Sequence, residues 1–253
     1  MIEQLVPANV FAAMLIFSRV GAAVMLLPGF GEFYVMQRYR LLLALLIAAL
    51  LTPVLGPTLP PQPAGVASLA TLVGGEVVIG AFLGTVSRIL LSALDTAGTV
   101  ISFQLGLSAA QVFNPLAATQ GAVTASFYSV LGVLLMFMTD LHHLLIGAVV
   151  DSYDVFVPGA LPAVGDLSDM VAHSAAAAFR LGLEIAAPFI LLGTLFFVAV
   201  GIIGRLVPQL QLLFVTQPLQ IVGGFVVLGL VLSAGMEWFL TNFAQQFIAL
   251  VGG

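Results

Sequence analysis

Between Val10 and Leu240 the chain is apolar in instalments, with runs near Val10 to Leu27, Leu41 to Leu55, Leu69 to Leu94, Val123 to Val150, Ala175 to Ile203 and Leu219 to Leu240. Only connections rich in Pro and Gly separate them. A single helical crossing of a bilayer takes about 20 apolar residues, and most of these runs reach that length. With 61% hydrophobic and 7% charged residues and a mean hydropathy of +1.21, the chain lies far outside the range of water-soluble domains. An all-α integral membrane protein of about six hydrophobic helices is therefore expected, because only helices and closed barrels satisfy their backbone in hydrocarbon. The runs lack the two-residue alternation of an outer-membrane barrel. Any function has to be built among the helices.

Other classes recede on simple grounds. Met1-Ile2-Glu3 lacks a cationic n-region, so the first apolar run is expected to stay in the mature protein. There is no Cys for disulfides or thiolate chemistry, and the basic residues are six Arg with no Lys, which gives no nucleic-acid footprint. No phosphate-cradling Gly-Lys-Ser/Thr loop occurs. Gly106-Leu107-Ser108-Ala109 has the look of an intramembrane serine-protease motif, with His142, His143 and His173 downstream, yet no oxyanion donors are recognisable. His142 and His143 diverge by about 100° on a helix, and no third ligand is spaced to join them, so a metal site is not expected there.

Charges inside the apolar runs carry more information: Arg19 in the first, Glu76 and Arg88 in the third, Arg180 and Glu184 in the fifth. An intramembrane charge normally faces protein, a counter-charge or water. Arg180 and Glu184 are four apart and share a helix face. Glu76 and Arg88 need partners from elsewhere, Arg19 being one candidate. These charges read either as structural ion pairs or as a relay. Gly80 and Gly84 form a small-xxx-small pair suited to close helix contact. The second run has only about a dozen residues before Pro53, so it is expected to stop there and to be too short to cross alone. Arg38, Arg40 and Arg205 sit in connections, whereas the stretch from Asp140 to Asp169 holds five Asp and no Arg or Lys; if all six runs cross, both termini face outward.

The stretch from Gln104 to Gly121 is neither a helix core nor an ordinary polar loop. Gly106, Ser108, Ala109 and Ala110 allow tight packing, Asn114-Pro115 favours a turn or extended path, and Leu107, Val112, Phe113 and Leu116 supply an apolar obstruction. Composition alone also fits a plain interhelical connection with Phe113 packed on a neighbour.

An ordered series of short motifs resembles the FliR/SctT family of type III export-gate membrane components. It runs through Arg19-Val20-Gly21, Pro28-Gly29-Phe30-Gly31, Arg38 and Arg40, Gly75 to Gly80, Ala97-Gly98, Gln104-Leu105-Gly106 and Phe113-Asn114-Pro115. It continues through Phe156 and Pro158 to Gly204-Arg205-Leu206-Val207-Pro208-Gln209-Leu210-Gln211 and ends near Pro218. Family members usually carry Asn at the place of Gln211 and often Asp at that of Asn114. The resemblance implies a non-enzymatic subunit without cofactor or metal, in the bacterial inner membrane and flagellar basal body. It implies bent helical hairpins, with 1–173 FliP-like and 174–253 FliQ-like, assembled with FliP and FliQ around a lumen for unfolded export substrates. FlhB and FlhA are further implied partners, and lipid surrounds the whole.

In that picture the 104–121 loop plugs the closed channel through Gly106, Leu107, Val112, Phe113, Asn114, Pro115 and Leu116. Assembly contacts are expected at Arg19, Glu76, Arg88, Gln104, Arg205, Pro208, Gln209 and Gln211. The injectisome branch shares most of the motifs. A stand-alone secondary transporter using Glu76, Arg88 or Asp95 stays open as a different class, although the halves show no convincing internal repeat.

Overall fold

The structure is a computed structural model, and it describes residues 2–107, 123–159, 164–206 and 212–251. Among these there are α-helices, one 3-10 turn and no strands: α1 Ile2–Leu26, α2 Gln37–Leu55, the turn Gly56–Thr58, α3 Val66–Gln104, α4 Val123–Met138, α5 Leu141–Val155, α6 Val164–Leu206 and α7 Leu212–Val251. Five helices are long and apolar enough to cross a membrane, or six spans if α4 and α5 count together as one broken span. The all-α membrane architecture expected from hydropathy is what the chain adopts.

Three boundaries differ from expectation, each for a physical reason. The second run does not stop at Pro53: α2 starts at Gln37, carries Pro53 inside its last turn and continues into the 3-10 turn, giving an apolar stretch of 22 residues. Proline interrupts only the bond its own N–H would have made, and so near the end few further bonds depend on it. The fourth run is two helices bent by 76° across Thr139-Asp140, with Asp140 left-handed at φ 58°. Asp is one of the few side chains that tolerate that region. Runs three, five and six lie within helices of 39, 43 and 40 residues, each about 60 Å long, roughly twice the hydrocarbon thickness. Hydropathy marked their apolar centres; packing carries α3 further, since Ala97 and Ile101 beyond its apolar run are fully buried.

The chain divides into two compact units that do not follow chain order. One comprises Met1–Leu90, Met136–Ala175 and Ala244–Gly253. In it α1 buries Ala12, Leu15, Ile16, Val20, Ala23 and Val24, the stripe of an amphipathic helix, with Arg19 in its middle. Helix α2 packs on α1 through Ala44 and Ala48 and leaves Leu42, Leu46, Leu50 and Val54 exposed. The first part of α3 meets α1 at glycines: a Cβ on Gly80 would lie 2.1 Å from the Arg19 carbonyl, and one on Gly84 would lie 2.5 Å from Leu26 Cβ. The expected small-xxx-small contact is thus the α1–α3 seam.

The second unit comprises Leu91–Leu135 and Ala176–Phe243. Glycines again set its helix approaches, and α3 is the shared element. A Cβ on Gly98 would meet the Ala125 backbone of α4 at 2.4 Å, and one on Gly182 of α6 would meet the Ala93 carbonyl at 2.7 Å. Gly224 of α7 faces Leu105. Only part of this unit is covered by its own helices. Leu191, Leu195, Val198, Ile202 and Leu206 form an exposed apolar stripe along α6, and Leu219, Val222, Val226 and Leu230 another along α7.

Candidate functional site: a buried arginine hub and the anchored ends of a loop

Two places concentrate polar atoms that an apolar chain has reason to avoid. The first lies in the unit built on α1. Arg19 has no exposed surface and Glu76 is 1% exposed. Arg19 Nε donates to Glu76 Oε2 at 2.7 Å and Nη2 to Glu76 Oε1 at 3.1 Å, a two-pronged pairing that matches the planar fork to the carboxylate. Nη1 donates to the Ser152 carbonyl at 3.0 Å and to Ser152 Oγ at 3.1 Å, while Nη2 also reaches the Phe156 carbonyl at 2.9 Å. That accounts for all five N–H groups of a guanidinium.

Ser152 and Phe156 close the C-terminal end of α5, where a positive charge is favoured; the Ser152 carbonyl also accepts the Phe156 N–H at 2.8 Å, so Arg19 uses its second lone pair. The Tyr153 ring completes the enclosure, its centroid 3.8 Å from Arg19 Cζ. Arg19 therefore ties α1 to α3 by charge and to the end of α5 by capping. Its pairing with Glu76 was foreseeable as one option; Ser152, Tyr153 and the Phe156 carbonyl were not, because no local spacing links residue 19 to residues 152–156.

Tyr153 contributes its ring and not its hydroxyl, which is buried without a hydrogen-bond partner. Tyr153→Phe keeps the cation-π face and removes that orphaned oxygen. It is expected to leave stability unchanged or to raise it by about 1 kcal/mol, read as the melting temperature of the detergent-solubilised chain. A clear loss would mean that the hydroxyl has a partner in the working protein.

The other intramembrane charges have separate partners. Arg88 donates to the Gly31 carbonyl at 3.1 Å and lies 3.5 Å from Glu32 Oε1, which pins the turn between α1 and α2. In that turn the Tyr34 hydroxyl is held above its ordinary pKa by burial first and by the Glu32 carboxylate second. Arg180 and Glu184 pair at 3.4 Å on one face of α6, and Trp238 Nε1 of α7 donates to Glu184. Asp95 accepts from Ser129 Oγ. Whatever Arg19 and Glu76 bring to an assembly, they bring through the packing of their own chain, since both are buried in it.

The second place is where α3 ends and α4 begins. Gly106 sits at φ +73°, the Gly106 N–H bonds to the Phe103 carbonyl and the Leu107 N–H to the Ser102 carbonyl. This is the Schellman ending, which places a left-handed residue just past the helix. Two amides of α7 fasten it. Gln220 Nε2 donates to the Gln104 carbonyl at 2.7 Å, and Gln217 Nε2 reaches the Gly106 carbonyl at 3.5 Å. The Gln104 side chain lies against Gly193 of α6. At the other end Thr124 Oγ1 donates to the Gly98 carbonyl, where Gly98 lets the α4 backbone approach. Residues 104–107 and 123–124 are thus held on both sides of the 108–122 segment.

Of the expected plug residues, Gly106 and Leu107 form this anchored exit from α3, while Val112, Phe113, Asn114, Pro115 and Leu116 lie outside the described residues. Arg205 is exposed in the last turn of α6, and Pro208, Gln209 and Gln211 also lie outside them. Gln217 and Gln220 were missed from the sequence. Their signal was legible, since two amides three apart in an apolar helix need partners.

Long apolar helices, a charge buried in a complete cage and a polar-anchored exit from α3 define an integral membrane protein built on helix–helix contacts. The family model described as bacterial export proteins, family 1, matches residues 10–246, and the chain belongs to that family. It is 40% identical to the flagellar biosynthetic protein FliR of Caulobacter vibrioides over 231 residues, covering 91% of this chain and 92% of that one. It is 29% identical to FliR of Bacillus subtilis over 220 residues, 86% and 84% of the two chains, and 29% identical to FliR of Escherichia coli K12 over 208 residues, 81% and 78%. Family and helices together make it an inner-membrane component of the flagellar export apparatus at the basal body.

Proposed function

We propose that the chain is a non-enzymatic core subunit of the flagellar type III export gate, assembling with FliP and FliQ around the passage for unfolded substrates. In this reading the segment from 104 to 121 closes the lumen. The observation that carries it is the anchoring just described: the flanks of the segment are fixed, at the end of α3 by Gly106, Gln217 and Gln220 and at the start of α4 by Thr124 on Gly98. A gate element has to move over its middle while its ends keep their place. Hydrophobic residues such as Leu107, Val112 and Phe113 close a pore to water and ions without any binding site.

Residues 1–173 act as the FliP-like part and 174–253 as the FliQ-like part. The exposed stripes on α6 and α7 supply apolar surface for neighbouring helices, with lipid covering what partners do not. Arg205, Pro208, Gln209 and Gln211, between α6 and α7 in the sequence, contact neighbouring subunits or FlhB, with FlhA beyond. Energy coupling belongs to the partners.

The test replaces Leu107, Val112 and Phe113 together with Gly in cells carrying the assembled apparatus, and records export and ion leakage across the inner membrane. The expected result is increased leakage with assembly intact. Gln220→Leu, which frees the Gln104 carbonyl, is expected to leak in the same direction but less. Unchanged tightness in the triple variant, with the complex assembled, would reduce the segment to a connection and move the gate to the partners.

A further inference from the structure

We propose that Asp140, His142 and His143 form a binding site for a divalent transition-metal ion of the Zn2+ type, which locks the elbow between α4 and α5. The sequence argued against any metal here, because neighbouring residues on a regular helix point about 100° apart. Both histidines do lie in the first turn of α5, but their side chains converge, with ring centroids 4.1 Å apart. Asp140 is left-handed, the helix starts only at Leu141, and the three side chains place one ligand atom each within 4.8 Å of one another. His143 Nδ1 lies 3.5 Å from Asp140 Oδ1. Two ligands on a tetrahedral Zn2+, with bonds of about 2.0–2.1 Å, stand about 3.4 Å apart, so this pair already has the required spacing.

Two independent observations point to a missing ligand. Asp140 occupies the N-cap of α5 in the left-handed region, not the extended one from which an Asp side chain caps, so it makes no capping bond and its carboxylate is left for another partner. Its carboxylate is turned instead toward the imidazole. His142 Nδ1 is buried without any hydrogen-bond partner, a state that buried polar atoms avoid unless something occupies the position. The ring is not loose. It stacks on Phe137 with centroids 4.9 Å apart, and Phe137 in turn meets Phe30 edge-on at 5.5 Å. The two imidazole centroids are only 4.1 Å apart.

Three nitrogen and oxygen ligands with a free position suit Zn2+ over Ca2+ or Mg2+, which want oxygen alone. The fourth position is open to water or to a side chain of a neighbouring subunit. A bound ion would tie Asp140, at the elbow, to the first turn of α5, and the His142 ring it fixes stacks on Phe137 in the last turn of α4.

The test takes the full-length chain in detergent, strips it with a chelator and titrates it with Zn2+ alone by calorimetry, with Co2+ absorption as a second readout. One ion per chain and intense tetrahedral Co2+ bands are expected. Asp140→Asn, which keeps the tolerance for left-handed backbone, and His143→Gln should each weaken binding by about tenfold or more. Both side chains are more than two-thirds exposed, at 78% and 71%, so metal-free melting should not change. No stoichiometric Zn2+ uptake by the wild type would overturn the site, as would uptake unchanged in both variants.

Discussion

Arg19→Met is expected to lower stability by about 3–5 kcal/mol, enough to remove most of the chain from the membrane fraction. The loss does not come from the missing contacts alone. Without the guanidinium, Glu76 stays buried with no counter-charge, the Phe156 carbonyl loses the Arg19 N–H, and the Ser152 carbonyl is left with the Phe156 N–H alone. Arg19→Lys should rescue only in part, because an ammonium offers three donors from one point where five spread over a plane are used. The deciding measurement is a double-mutant cycle. Arg19→Met with Glu76→Met removes both charges, so it should be more stable than Arg19→Met alone. Should the double variant be the sum of the singles, Arg19 and Glu76 do not act as a pair.

The second large effect concerns a residue with no side chain. Replacing a helical Gly by Ala usually gains about 1 kcal/mol, because Gly loses more backbone freedom on folding. At Gly80 the sign reverses. The new methyl would lie 2.1 Å from the Arg19 carbonyl, and since that atom is backbone the α1–α3 seam has to open. Overpacking of this kind costs about 1–3 kcal/mol, and here it also displaces the residue that carries the hub. Gly74 on the same helix is the control, with nothing within 4 Å of its added methyl. Gly74→Ala should be neutral or stabilising while Gly80→Ala lowers the melting temperature; equal effects would show that propensity and not packing rules this helix.

Much of the fold was legible because hydropathy is local. The apolar runs marked the centres of α1, α3, α6 and α7, and the small pair Gly80 and Gly84 marked a seam. What hydropathy does not carry is where a helix ends when packing extends it past the apolar run, as at the end of α3, or where a run breaks on a single tolerant residue, as at Asp140. The Thr139-Asp140 pair was a visible signal, outweighed by the apolar residues around it. At the site, Arg19 and Glu76 stood out because charge in an apolar run demands a partner. Which partner depends on chain segments more than fifty residues apart being brought together.

By itself the sequence determined the class of protein: helices in a membrane, with buried charges that need mates and a small-residue, aromatic-bearing loop between two of the helices. Its ordered motifs also carried the family. Only the tertiary structure decided that one guanidinium holds three helices, that Gln217 and Gln220 fasten the exit of α3, and that Asp140 turns toward His143. The reason is the same in each case. Burial can be read along a chain, since it depends on each residue's own affinity for water, whereas hydrogen-bond partnership depends on positions in space that no single stretch of sequence contains.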